Sequence, residues 1–210
     1  MSSEISRVLL EASAIDLDTV QGFVYASGIK SPVYCDNRIL LSYPDKREKI
    51  VNAFLALIKA KKLEFDAVAG VATAGIAWAA IIADKLKLPM VYVRASAKEH
   101  GKRNQIEGEL EEGKEIIVVE DLITTGQSSL AACDALKDLS VKVVACISIF
   151  NYGFSKSADA FTNAKIPLYS LTEFITLVNM AVEIKYISQE EKKILLEWQR
   201  TGKWDDSKQK

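Results

Sequence analysis

The stretch Ile116-Ile117-Val118-Val119-Glu120-Asp121-Leu122-Ile123-Thr124-Thr125-Gly126-Gln127-Ser128 decides how the rest of the chain is read. Its first four residues are apolar and β-branched, which marks a buried strand. Two adjacent carboxylates, Glu120 and Asp121, follow at the carboxyl end, then a short Thr/Gly/Ser loop. Ser129-Leu130-Ala131-Ala132-Cys133-Asp134-Ala135-Leu136 then starts a helix. A helix entered from such a loop has free N–H groups at its N-terminus, where a phosphate can sit. Thr124, Thr125 and Ser128 add hydroxyl donors, and Gly126 lets the backbone approach closely. The carboxylates would repel a bare phosphate, so ribose hydroxyls or a divalent metal are the partners left to them. The segment points to a phosphorylated sugar handled with magnesium. Other phosphate loops are excluded, because the chain holds neither G-x-x-x-x-G-K-[ST] nor G-x-G-x-x-G.

The surrounding chain suits one α/β domain with a small appendage. At 210 residues and 49% hydrophobic content it can bury a full core, and 26% charged residues favour solubility. A net charge of −1 argues against a nucleic-acid binder driven by bulk electrostatics. Cys35, Cys133 and Cys146 form no C-x-x-C pair, and free buried thiols fit a reducing cytosol. The first residues lack the basic-then-apolar order of a signal peptide, and no apolar run nears the ~20 residues of a membrane span. A cytoplasmic protein without membrane or nucleic-acid partners is the expectation.

Periodicity predicts a helix over 5–17, then a strand over 21–28 with 31–36 as its hairpin partner. A long helix runs from Pro44 to about Ala60, with Asp45 as its cap. Strands are expected at 67–71, 90–93, 116–119, 143–150 and 167–171, and helices at 76–86 and 172–181. Ser188-Gln189-Glu190-Glu191 reads as a capping box that opens a last helix. Alternating strands and helices imply a mainly parallel sheet flanked by helices, with ligands at the carboxyl ends of the strands. The organisation is an N-terminal helix and hood hairpin (1–40), a core (45–180), a flexible loop (94–113), and a C-terminal helix and tail (182–210).

Two further segments carry chemistry. The polar run from Arg94 to Gly108 holds five basic groups, counting the single histidine, His100. Arg94, Lys98 and His100 are donors suited to a diphosphate, and so long a loop inside a compact domain reads as a lid. The alternative is a solvated basic turn. Ser27-Gly28-Ile29-Lys30-Ser31-Pro32-Val33-Tyr34-Cys35-Asp36-Asn37-Arg38 reads by itself as a hairpin with proline on an edge strand.

The stretch 116–128 resembles the phosphoribosyl diphosphate (PRPP) signature of the type I phosphoribosyltransferases, position by position. Lys98-Glu99-His100-Gly101 resembles the Lys-x-His-Gly lid of the orotate phosphoribosyltransferases, Arg94 matches their arginine after the preceding strand, and Ser27–Pro32 resembles their amino-terminal Ser-Gly-x-x-Ser-Pro element. Ala72-Thr73-Ala74-Gly75 resembles the family's diphosphate turn. The resemblance runs over about residues 20–180. It implies the type I phosphoribosyltransferase fold and a free-standing enzyme that transfers ribose 5-phosphate from PRPP to orotate, giving orotidine 5′-monophosphate in pyrimidine biosynthesis. It implies Mg²⁺ carried by PRPP, with Asp121 as a candidate ligand, and a homodimer sharing the loop across its interface.

By the same resemblance, Lys98, His100, Glu120 and Asp121 are the catalytic candidates. PRPP falls to Lys30, Arg94, Lys98, His100 and the run Glu120, Asp121, Leu122, Ile123, Thr124, Thr125, Gly126, Gln127 and Ser128. Orotate falls to Lys30, Tyr34, Cys35 and Thr124. Three departures stand out. Ala95 and Ser96 replace a loop lysine, Ala74 replaces a lysine of the diphosphate turn, and Tyr152 stands where some members place an arginine for the orotate carboxylate. Arg38 is the nearest replacement for that arginine in sequence. The rivals are a transferase for another base, a regulatory protein that keeps the signature but binds nucleic acid, and an inactive structural homologue.

Overall fold

The computed structural model describes residues 1–25, 28–95 and 105–204. In chain order the elements are α1 (Ser2–Glu11), β1 (Ile15–Leu17), β2 (Phe23–Val24), β3 (Lys30–Ser31), β4 (Val33–Cys35), a 3-10 turn (Asn37–Ser42), α2 (Pro44–Ala60), β5 (Ala67–Val71), α3 (Ala74–Leu86), β6 (Met90–Val93), β7 (Ile106–Glu107), β8 (Glu115–Ile123), α4 (Gln127–Lys137), β9 (Lys142–Asn151), α5 (Ser155–Asn163), β10 (Leu168–Glu173), α6 (Phe174–Glu183) and α7 (Gln189–Thr201).

The main sheet has the order β10-β9-β8-β5-β6-β7; every neighbouring pair is parallel except β6 and β7. Both of its faces are covered, which explains the near-continuous apolar runs. Ile117 and Val119 of β8 join Trp78, Ile82, Phe174 and Leu177 in one core, while Ile116 and Val118 join Cys133, Leu136 and Phe161 in the other. Successive residues of a strand point to opposite faces, so one strand feeds two cores. The chain leaves β5 toward β6 and leaves β8 toward β9, in opposite directions along the sheet. The helices that follow, α3 and α4, pack into different cores. Such a reversal opens a crevice at the carboxyl ends of the two strands.

Several expected boundaries shift. The first helix stops at Glu11, and Ser13 turns the chain with φ 49°. Ile15–Leu17 is a strand paired antiparallel with Val33–Cys35, because pairing with β4 outcompetes continuation of the helical period. The hood hairpin is tighter than expected: Phe23 faces Ser31 and Val24 faces Lys30. Asp45 does not cap α2; Tyr43 holds that position with Pro44 behind it, and Asp45 lies in the first turn, where its charge suits the helix dipole. The signature strand runs on to Ile123, so Glu120 and Asp121 are strand residues with a fixed alternation and not members of a turn. The last helix does open on a capping box, with the Glu191 N–H bonded to Ser188 Oγ at 3.2 Å and the Ser188 N–H to Glu191 Oε2 at 2.7 Å.

Candidate active site

The Thr/Gly/Ser loop sits where the crevice opens. Gly126 is the N-cap of α4 at φ +78°, a left-handed conformation that glycine adopts without strain, and a Cβ there would press on the Phe161 ring. No side chain caps α4, so its first N–H groups face the loop mouth. Thr124, Gln127 and Ser128 are exposed, Thr125 is half-buried, and together they form the rim of an anion cup at a helix N-terminus. The Ala72–Gly75 turn enters α3 beside it. A Cβ at Gly75 would collide with the Val119 carbonyl oxygen, so glycine is what lets α3 press against β8.

Alternation along β8 separates the acid pair. Glu120 is buried, at 5% exposure, and Asp121 is half-buried. Glu120 accepts from the Asp121 N–H at 3.1 Å, from Ser129 Oγ at 3.3 Å and, at the limit of hydrogen-bond length, from Ser128 Oγ at 3.5 Å. Burial, reinforced by the neighbouring Asp121 charge, pushes the Glu120 carboxyl up to about 8. Burial also raises Asp121. A carboxyl that is largely protonated at neutral pH can donate to one ribose hydroxyl and accept from another. Among the described residues no three metal-ligating side chains cluster, and the carboxylates at this site are the pair Glu120 and Asp121. That fits Mg²⁺, which takes one or two carboxylates and fills its shell with phosphate oxygens and water.

Next to the cup lies a cavity of about 560 Å³. Lys30, Ser31, Tyr34 and Cys35 of the hood line one side, and Leu122, Thr124 and Thr125 line the floor. The far side is aromatic, formed by Tyr152, Phe154 and Trp198, with Tyr25 and Ile29 closing the hood end. Lys30, Tyr34, Cys35 and Thr124, expected around a base, therefore come together. Arg38 does not line the cavity. Its guanidinium forks onto Asp36 at 2.7 and 2.9 Å, which makes it a surface pair. Tyr25, Phe154 and Trp198 are the residues that sequence reasoning missed; the aromatic pair Tyr152-x-Phe154 just past a strand end is the one local signal that points to this wall.

Arg94 stands at the foot of the basic segment. Its N–H donates to the Gln105 carbonyl at 2.8 Å, and Gln105 Nε2 donates back to the Arg94 carbonyl at 2.7 Å, so the two ends of the segment are stapled together. The Arg94 guanidinium lies 3.4 Å from Glu107. Lys98 and His100 lie outside the described residues, as do Ser96, Lys102 and Arg103. Cys133 and Cys146 are buried thiols, as expected, and burial pushes Cys133 up to about 12. No helix among the described residues is long and apolar enough to cross a membrane.

Known proteins are similar to this chain in sequence and fold. The model of the phosphoribosyl transferase domain family matches residues 42–168. The orotate phosphoribosyltransferase of Coxiella burnetii is 50% identical over 199 residues, 95% of each chain. The Staphylococcus aureus enzyme of the same name is 46% identical over 198 residues, covering 94% of this chain and 98% of that one. Among solved structures, the orotate phosphoribosyltransferase from Aeropyrum pernix aligns with a TM-score of 0.75 at 28% identity, over 88% of this chain and 99% of its own. A Leishmania donovani UMP synthase shares the fold at a TM-score of 0.77 and 23% identity; there this chain spans 42% of the longer protein's length. With relatives this similar over nearly its whole length, the chain belongs to the orotate phosphoribosyltransferases, pentosyltransferases built on the type I phosphoribosyltransferase fold.

Proposed function

We propose that the cup and the aromatic cavity hold PRPP and orotate side by side, and that ribose 5-phosphate passes between them to give orotidine 5′-monophosphate and diphosphate. The observation that carries this is their continuity: Thr124 and Thr125 belong both to the phosphate loop and to the cavity floor. A nucleotide laid across them puts its 5′-phosphate on the α4 N-terminus and its base against the hood.

The backbone and hydroxyls of Thr124–Ser128 anchor the 5′-phosphate. Glu120 and Asp121 hold the ribose hydroxyls, and Asp121 favours positive charge as the anomeric C–O bond breaks. Lys30 and the Ala72–Gly75 turn approach the departing diphosphate from the cleft. Arg94, Lys98 and His100 add positive charge from the basic segment, either to their own cleft or across a dimer to the neighbouring one. Asp121 would hold Mg²⁺ brought in with PRPP, and the metal would supply neutralisation of part of the diphosphate charge. Orotate ionised at N1 is already a nucleophile, so positioning two anions within reach supplies much of the rate. The chain is placed in the cytoplasm on this reading.

The direct test is loss of orotate ultraviolet absorbance in the presence of purified protein. Loss that requires both PRPP and Mg²⁺ supports the reading. Loss with another base in place of orotate, and none with orotate, overturns it.

A further inference from the structure

We infer that the C-terminal helix α7 sets the fit of the base, through Trp198 as the wall of the base cavity and Gln199 as the clamp that holds the wall's other half. This deepens the orotate reading above and rests on it.

Trp198 reaches the cavity from a helix that follows the whole signature core. Its ring meets Tyr152 edge-on at 5.8 Å, Phe154 at 5.6 Å and Phe174 at 5.5 Å. Tyr152 stacks on Phe154 at 5.5 Å with the planes 16° apart. The turn that carries Tyr152 is fixed from both sides. Asn151 Oδ1 accepts from the Gly153 N–H at 2.9 Å, and Gln199 Nε2 donates to the carbonyls of Tyr152 at 3.2 Å and Gly153 at 2.8 Å. Tyr25, which lines the same cavity, donates its hydroxyl to the Val33 carbonyl of the hood. Hood, strand end and last helix thus converge on one aromatic surface.

The Trp198 and Tyr152 rings both belong to the core, and they also face the cavity. Trp198 and Tyr152 border the same open space as Thr124 and Thr125 of the phosphate loop. Flat, apolar walls beside an anion cup suit a planar heterocycle, which aromatic rings hold by stacking and exclusion of water. The wall is neutral, so it reads the shape of the base and not its charge. Because Gln199 bonds main-chain carbonyls, α7 controls the wall's position whatever side chain residue 152 carries.

The test compares wild type with Trp198→Leu, Trp198→Phe and Gln199→Ala, by initial rates with orotate and PRPP varied separately. Wild type that does not consume orotate overturns the orotate reading itself and is seen before any variant is made. Given wild-type turnover, Trp198→Leu is expected to raise the KM for orotate about tenfold, the order expected for a lost base–aromatic contact. The KM for PRPP should stay within about twofold, since the cup is untouched. Trp198→Phe should restore most of the orotate affinity, and Gln199→Ala should shift orotate in the same direction by a smaller factor. An unchanged orotate KM in Trp198→Leu, or equal rises for both substrates, overturns the inference. If Trp198→Leu does not fold, Gln199→Ala decides by the same two constants.

Discussion

Asn37 donates from Nδ2 to the main-chain oxygen of Asp121 at 2.9 Å, joining positions 84 apart in the chain. The side chain is fully buried, and its Oδ1 has no partner among the described residues. The bond fixes the start of the 3-10 turn, and with it the end of the hood, to the strand residue proposed to meet the ribose. Asn37→Ala should cost about 1–3 kcal/mol, the range for stranding a buried hydrogen-bonding group. For a domain of this size that is a fall of roughly 3–10 °C in Tm. A thermal melt checks it, and turnover should fall as well, because the hood loses its register on the acid pair.

Asp121→Asn keeps shape and removes charge. Turnover should drop strongly while the melt stays close to wild type, since Asp121 is half-buried and its loss opens no cavity. Near-normal turnover would refute a ribose or metal role for this residue.

The Glu120 carboxyl gives a pH dependence with a definite sign. Its folded value of about 8 lies above the ordinary 4.5, so the folded protein holds the proton more tightly than the unfolded chain. The contribution to stability is fully present below 4.5 and is lost as pH rises toward about 8. Ligand-free, metal-free protein should therefore melt lower at pH 8 than at pH 6. Glu120→Gln should flatten that difference and melt above wild type at pH 8. An unchanged slope would show that Glu120 is not the titrating group.

The basic segment is tested by Lys98→Ala combined with His100→Ala. A loss in turnover larger than about tenfold, roughly 1.4 kcal/mol of barrier, is expected if the pair stabilises the departing diphosphate. A smaller loss would leave Arg94 and Lys30 as the main cations at that end of the cleft.

Much of the architecture was legible because local and global signals agree there. The β8–loop–α4 unit, the strands β5 and β6, the extent of α2 and the Ser188 capping box all follow from periodicity and end chemistry. Legibility fails where a few residues pair over long distances. Ile15–Leu17 continues a helical pattern and becomes a strand only through β4. Ile106–Glu107 is a two-residue strand inside a polar run and has meaning only beside β6. Helix α5 escaped notice because its polar sequence buries little beyond Ser157 and Phe161. At the site, sequence brought Lys30, Tyr34, Cys35 and Thr124 to one cavity. It proposed Arg38 as well, whose guanidinium here forks onto Asp36, two residues earlier. Tyr152 and Phe154 gave a local hint of the aromatic wall, but the clamp on it was beyond reach, since Gln199 and Tyr152 lie 47 positions apart and nothing local in either predicts the other.

The most direct test of the account is a crystal structure of the protein with orotidine 5′-monophosphate. The account predicts the 5′-phosphate on the N–H groups of Thr124–Ser128, the ribose hydroxyls on Glu120 and Asp121, and the pyrimidine in the cavity between Tyr34 and the Tyr152–Trp198 wall. A phosphate in the loop with the base directed away from that cavity would contradict it.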